Sequence, residues 1–108
     1  MEKNYEVNAK IFKALSDPNR IKIIDILSCE EKCACDILEN FNFTQPTLSH
    51  HMKVLIECDL VVARKEGTWN YYTLNSVNAN RLALFLMNII TDTEKCICKI
   101  EKNWLFKG

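Results

Sequence analysis

The stretch Thr44-Gln45-Pro46-Thr47-Leu48-Ser49-His50-His51-Met52-Lys53-Val54-Leu55 decides the reading of this 108-residue chain. Thr44 suits an N-cap and Pro46 the first turn, where a missing N–H costs nothing. Leu48, Met52, Leu55 and Ile56 then form one apolar stripe of a helix reaching about Cys58. On a wheel of about 100° per residue, Leu48, Met52 and Leu55 point inward, His50 and Lys53 lie opposite, and Thr47 and Ser49 sit on the shoulders. Just upstream, Ala34, Ile37, Leu38 and Phe41 recur at helical spacing, and Asn40 to Phe43 reads as a turn. Two short helices joined by a tight turn predict a helix-turn-helix over about 34–58.

Downstream, the composition from Leu60 to Leu74 changes to β-branched and aromatic residues. Val61-Val62 and Trp69 to Thr73 flank Glu66-Gly67-Thr68, which predicts a β-hairpin wing over about 60–74. Tyr71 and Tyr72 alternate across the strand, so at least one packs beneath the wing. A terminal helix from Val77 to about Lys102 carries Leu82, Phe85, Leu86, Ile89 and Ile90 on one wide apolar face. No further chain is left to cover that face, which points to a second subunit. At the other end, Val7, Ile11 and Leu15, with Phe12 beside them, mark a first helix that stops before Ser16-Asp17-Pro18. Asp17 caps a second helix running to about Ser28, with Pro18 at its first position. Its residues Ile21, Ile24 and Leu27, with Ile23 and Ile26, are dense enough to predict a nearly fully buried element. The expected fold class is mainly α (α+β), a single domain over 1–108.

Hydrophobic residues make up 48% of the chain and charged residues 26%, with only 2 Gly and 2 Pro, a balance that excludes disorder. Fourteen Lys+Arg meet fourteen Asp+Glu, so net charge argues neither for nor against a nucleic-acid partner. The longest apolar run, Leu82 to Met87, falls far short of the roughly 20 residues of a membrane helix. The start Met1-Glu2-Lys3-Asn4 has no secretory apolar core, so a cytoplasmic protein with no membrane partner is expected. Six cysteines are present, and four form two Cys-x-Cys pairs, Cys33-Ala34-Cys35 and Cys96-Ile97-Cys98. That spacing suits sharing a soft metal better than bridging distant segments. The plainer alternative treats them as small buried hydrophobes, and Cys58, beside Asp59 at a helix end, is read that way.

The segment from Pro18 to Leu74 resembles the ArsR/SmtB family of metal-responsive repressors. Asp17-Pro18-Asn19-Arg20 is similar to the start of that family's second helix. Glu31-Lys32-Cys33-Ala34-Cys35-Asp36-Ile37 is similar to its cysteine-containing metal box, and Thr44 to Leu55 to its recognition helix. The resemblance implies a homodimer joined through the first and last helices, bound to double-stranded operator DNA and released by a metal or metalloid. The chain departs from the best-known arsenic-binding type in having no third cysteine just after the pair, where Asp36-Ile37-Leu38 follows. It also lacks the Asp and His pattern of zinc sensors in the last helix, since both histidines lie in the recognition helix.

Gln45, Thr47, Ser49, His50 and Lys53 are the candidate DNA-reading residues, with Gln45 placed for a paired hydrogen bond to adenine. Outside a helix-turn-helix the same set is an ordinary solvated face. His51 lies beside the inward stripe and is read as a packing histidine. Arg64 and Lys65, just before the wing turn, are candidates for phosphate or minor-groove contact, partly offset by Glu66. In a regular helix Cys33 and Cys35 are about 200° apart, so holding one ion would have to distort the helix start. Such a distortion would couple effector to DNA. As(III) or Sb(III) is the expected effector, then Cd(II), Pb(II) or Zn(II). As(III) suits three sulfurs, and Cys96 or Cys98 is favoured over Cys29 to complete the site, or the tail pair forms a separate one. The same scaffold also fits a thiol redox sensor. An enzyme is not expected: there is no Cys-x-x-Cys, no βαβ pattern and no Gly-rich phosphate loop. An interaction module with structural zinc is a third reading.

Overall fold

The computed structural model describes residues 4–91. In chain order the elements are α1 (Tyr5–Ala14), α2 (Pro18–Leu27), β1 (Lys32–Cys33), α3 (Ala34–Leu38), α4 (Gln45–Glu57), β2 (Val61–Glu66), β3 (Trp69–Leu74) and α5 (Ser76–Ile90). This is the expected winged helix-turn-helix, α3 and α4 forming the motif and β2–β3 the wing. Short polar side chains start the helices by satisfying free N–H groups. Asn4 Oδ1 accepts from the Val7 N–H at 3.0 Å, Asp17 Oδ1 from Asn19 at 2.7 Å and Asn75 Oδ1 from Asn78 at 3.2 Å. Thr44 caps α4 through its extended backbone alone; its hydroxyl pairs with that of Thr47 at 3.3 Å.

The core gathers one stripe from each helix. Leu48, Met52 and Leu55 of α4 are buried, as their spacing predicts, together with Ile37 of α3, Leu60 and Val61. The second helix corrects its sequence reading, because it is not buried all round. Ile23 and Leu27, one turn apart, face the core, Ile24 and Ile26 are half-buried, and Ile21, about 200° from Ile23, is 54% exposed. At its C-terminus α4 closes with a left-handed residue, Asp59 at φ 63°. The Leu60 N–H reaches the Leu55 carbonyl at 3.1 Å and the Asp59 N–H reaches Ile56 at 3.0 Å, the paired bonds of a Schellman cap. Cys58 is half-buried there, its thiol donating to the Leu55 carbonyl at 3.4 Å and pushed above the ordinary thiol range by burial.

The wing pairs Val61 with Leu74 through to Glu66 with Trp69, closed by Gly67-Thr68. Gly67 takes φ 63°, and it alone of the two is positive, the pattern of a type II′ turn, which matches strand twist. Tyr72 is the tyrosine buried beneath the wing, while Tyr71 is half-buried. The wing is also larger than a hairpin. β1 adds a third antiparallel strand in the order β1-β3-β2, with Lys32 opposite Tyr72 and Cys33 opposite Tyr71.

Leu82 and Phe85 of α5 pack inward, Phe85 lying 6.2 Å from both Tyr5 and Phe12 of α1. Leu84, Leu86, Met87, Ile89 and Ile90 are exposed, as are Tyr5 and Val7 of α1. α5 is followed by Thr91 in extended backbone (φ −101°, ψ 129°), and the expected course of the helix on to about Lys102 lies outside the described residues. Cys96 and Cys98 lie outside the described residues. Among the described residues no helix is long and apolar enough to cross a membrane.

Candidate functional site

The cysteine pair sits where β1 becomes α3. Cys33 is the N-cap of α3, with extended backbone (φ −81°, ψ 162°), and its Sγ accepts from the Asp36 N–H at 3.4 Å. Cys35 follows in the first turn. Because Cys33 is a cap and not a helical residue, the two Sγ atoms meet at 2.9 Å. This corrects the expectation that α3 must distort before both sulfurs reach one ion. The wheel argument assumed helical dihedrals at Cys33, and β1 pairing denies them. Asp36 brings a carboxylate oxygen to the same place, so that three ligand atoms lie within 4.8 Å of one another. Asp36 was legible only as a neighbour of the pair in Cys33-Ala34-Cys35-Asp36; its role depends on the tight cap turn. The Cys33 thiol is held above its ordinary range, first by the hydrogen bond shared with Cys35. Cys29, exposed beyond α2, is not in this group of three among the described residues.

A carboxylate clips this corner to the wing. Glu31 accepts from Arg64 Nε at 2.9 Å and Nη2 at 3.0 Å, a bidentate pairing, and from the Thr73 hydroxyl at 3.3 Å. The hydrogen bond from Arg64, with its charge behind it, holds the Glu31 carboxyl below its ordinary range despite some desolvation. Arg64 also reaches Glu66 at 3.2 Å and lies 4.6 Å over the Tyr71 ring. Its guanidinium is thus shared between two carboxylates and a ring. Lys65, the next residue, is exposed and makes no ion pair among the described residues.

Gln45, Thr47, Ser49, His50 and Lys53 are all exposed on α4, His50 and Lys53 opposite the buried Leu48–Met52–Leu55 stripe and Thr47 and Ser49 on its shoulders. His51 is a buried packing histidine: its Nδ1 lies 3.0 Å from Arg20 Nη1, and its ring 5.4 Å from that of Phe43. Arginine only donates, so Nδ1 accepts and the neutral ring carries its proton on Nε2. Arg20 Nε in turn donates to the Ala14 carbonyl at 2.6 Å, so one guanidinium ties α1, α2 and α4 together. Sequence spacing gave no sign of this pairing, which joins positions 20 and 51. Nor did it reveal a cleft of about 270 Å³ beside the cysteines, lined by Ala34, Cys35, Leu38, Gln45 and Trp69.

Comparison with known proteins extends this picture. Residues 17–62 match the family described as bacterial regulatory protein, arsR family. The chain is 46% identical over 100 residues to the arsenical resistance operon repressor of Staphylococcus aureus, covering 93% of this chain and 96% of that protein. It is 47% identical over 100 residues to the repressor of the same name from Staphylococcus xylosus, again with 93% and 96% coverage. Among solved structures, a homodimeric winged helix-turn-helix DNA-binding domain from Mycobacterium bovis superposes with a TM-score of 0.65 at 29% identity, covering 78% of this chain and 79% of that one.

Proposed function

The chain belongs to the arsR family of bacterial regulatory proteins, DNA-binding regulators and not enzymes, and on that premise we propose that it is a homodimeric repressor releasing operator DNA when a thiophilic metal or metalloid binds Cys33 and Cys35. The observation that carries this reading is the 2.9 Å approach of two thiol sulfurs at the start of the first helix of the helix-turn-helix. Two soft donors together fit As(III) or Sb(III). Cys96 or Cys98 is the proposed source of a third thiolate. The names of the two staphylococcal relatives support an arsenical effector.

Gln45, Thr47, Ser49 and His50 are proposed to read base edges in the major groove, with Lys53, Arg64 and Lys65 on phosphates. Dimerisation through α1 and α5 gives the exposed apolar residues of both helices a partner and sets the spacing of two half-sites. The link from effector to DNA runs through shared parts. Cys33 is at once the cap of α3 and the partner of Tyr71 in β3, so drawing the sulfurs onto an ion acts on the helix-turn-helix and the wing together. A coupling of about 1–3 kcal/mol per site is typical of such linkage.

A second reading keeps the scaffold and changes the effector. The Asp36 carboxylate beside the two sulfurs offers an oxygen donor, and a mixed sulfur and oxygen set suits Cd(II), Pb(II) or Zn(II). One experiment separates the two: fluorescence anisotropy of DNA from upstream of the chain's own gene, titrated with reduced protein at fixed salt, then with arsenite or cadmium. Release by arsenite in the wild type and not in Cys33→Ser supports the first reading; release by cadmium alone supports the second. Absence of DNA binding overturns both.

A further inference from the structure

We propose that Glu31 is a further determinant of operator binding, a positioning residue that acts through Arg64: its carboxylate fills the edge of the guanidinium that a DNA phosphate would take, and so holds operator affinity below what the wing could supply. The inference rests on the wing meeting DNA and adds the residue that restrains it. The sheet brings the two side chains together. Side chains alternate along a strand, and cross-strand partners share a face. Arg64 lies opposite Tyr71, and Val62 opposite Thr73, so all four share the face of the wing turned away from the buried Val61 and Tyr72. Glu31, immediately before β1, reaches that same face, where its Oε2 accepts from both Arg64 Nε and the Thr73 hydroxyl.

Three of the five N–H groups of Arg64 are given to carboxylates, at Nε and Nη2 to Glu31 and at Nη1 to Glu66. Carboxylate and phosphate offer the same pair of oxygens to the Nε–Nη2 fork, so only one of them can sit there. Two carboxylates around one guanidinium also present net negative charge to an approaching phosphate. The chain as a whole offers nothing to offset it, with fourteen Lys+Arg against fourteen Asp+Glu. The three ion pairs found among the described residues all lie at this corner, the third joining Lys32 to Glu30 at 3.0 Å. The restraint is a light one. The Arg64 and Glu31 side chains are 51% and 35% exposed, and an exposed pair is screened and weak, so phosphate and carboxylate compete on near-equal terms. A repressor that gripped harder would be more difficult for an effector of modest coupling to dislodge.

The test is fluorescence anisotropy of DNA from upstream of the chain's own gene, titrated with the reduced, effector-free full chain over a range of salt concentrations. Glu31→Gln keeps the shape and removes the charge; it is expected to bind about fivefold more tightly at fixed salt. Its slope of log affinity against log salt should steepen by one phosphate contact per protomer, roughly 0.9. In an Arg64→Ala background the same substitution should change affinity by less than about twofold, because no guanidinium is left to release. Glu66→Gln, which frees Nη1 alone, should give a smaller gain of the same sign. Operator binding that is weakened or unchanged in Glu31→Gln overturns the inference, because a residue that merely braces the corner would behave that way. An equal gain with and without Arg64 also overturns it, since the carboxylate would then be repelling DNA on its own. A wild type that binds no DNA instead overturns the repressor reading on which the inference rests.

Discussion

Cys33 Sγ and Cys35 Sγ are hydrogen-bonded at 2.9 Å because the first caps α3 and the second lies in its first turn. Serine is a better N-cap than cysteine, its hydroxyl accepting from the N–H that Cys33 now serves. Cys33→Ser is therefore expected to keep thermal stability within about 0.5 kcal/mol while abolishing the arsenite effect on DNA binding. Far-UV circular dichroism of the wild type should show no loss of helix as arsenite is added, since both sulfurs already stand together. Loss of helical signal on binding would contradict this.

Arg64 and Lys65 are neighbours with different commitments. Arg64 is held by Glu31 and Glu66, whereas Lys65 makes no ion pair among the described residues. Lys65→Ala is expected to lower the slope of log affinity against log salt by about one phosphate contact, and Arg64→Ala to change it less. Anisotropy titrations across a range of salt concentrations measure both.

Met87 is 58% exposed on α5, in the apolar band with Leu84 and Ile90. Met87→Glu places a carboxylate in the proposed dimer interface. An unpaired buried charge costs about 3 kcal/mol or more, so the dimer dissociation constant should rise roughly a hundredfold. Sedimentation equilibrium reads it, and operator affinity should fall in step. An unchanged dimer would place the interface elsewhere.

Burial lowers the affinity of His51 for a proton below that of a free imidazole at 6.5; the Arg20 and His50 charges act the same way, while Asp17 opposes them. The folded chain thus favours the neutral ring. Its contribution to stability is complete above the unfolded value of 6.5 and is lost as pH falls through the lower folded value. Urea midpoints measured from about pH 7.5 down to about 5.5 should fall for the wild type. His51→Gln, whose amide oxygen can still accept from Arg20, should flatten that dependence. A variant as steep as the wild type would assign the effect to another group.

Asp59 occupies the left-handed region at φ 63°, where a Cβ is unfavourable. Asp59→Gly relieves that strain and keeps the carbonyl that accepts from Asn78 Nδ2 at 2.9 Å. A gain of about 0.5–1 kcal/mol is expected, read as a higher urea midpoint with unchanged slope.

Much of this architecture is legible in the sequence because its signals are local. Asp17-Pro18 starts α2, Leu48, Met52 and Leu55 define the inner face of α4, and Gly67 marks the wing turn. What is not legible depends on partners far along the chain. β1 has two residues, too few for any periodicity, and exists only because Tyr71 and Tyr72 lie opposite them. That pairing takes Cys33 out of the helix and brings the sulfurs together. Glu31 meets Arg64, and Arg20 meets His51, across more than thirty positions, with no pattern at either end to announce it.

Cys33 and Tyr71 occupy one rung of the same ladder, which has a consequence for anyone building chimeras in this family. The hairpin from Val61 to Leu74 cannot be exchanged as a neutral module. A grafted wing brings its own opposite number to Cys33, its own answer to Glu31 and its own tip beside Cys35. Transplanting it would retune the sensor along with the reader, and a chimera designed for a new operator inherits a new threshold for its effector.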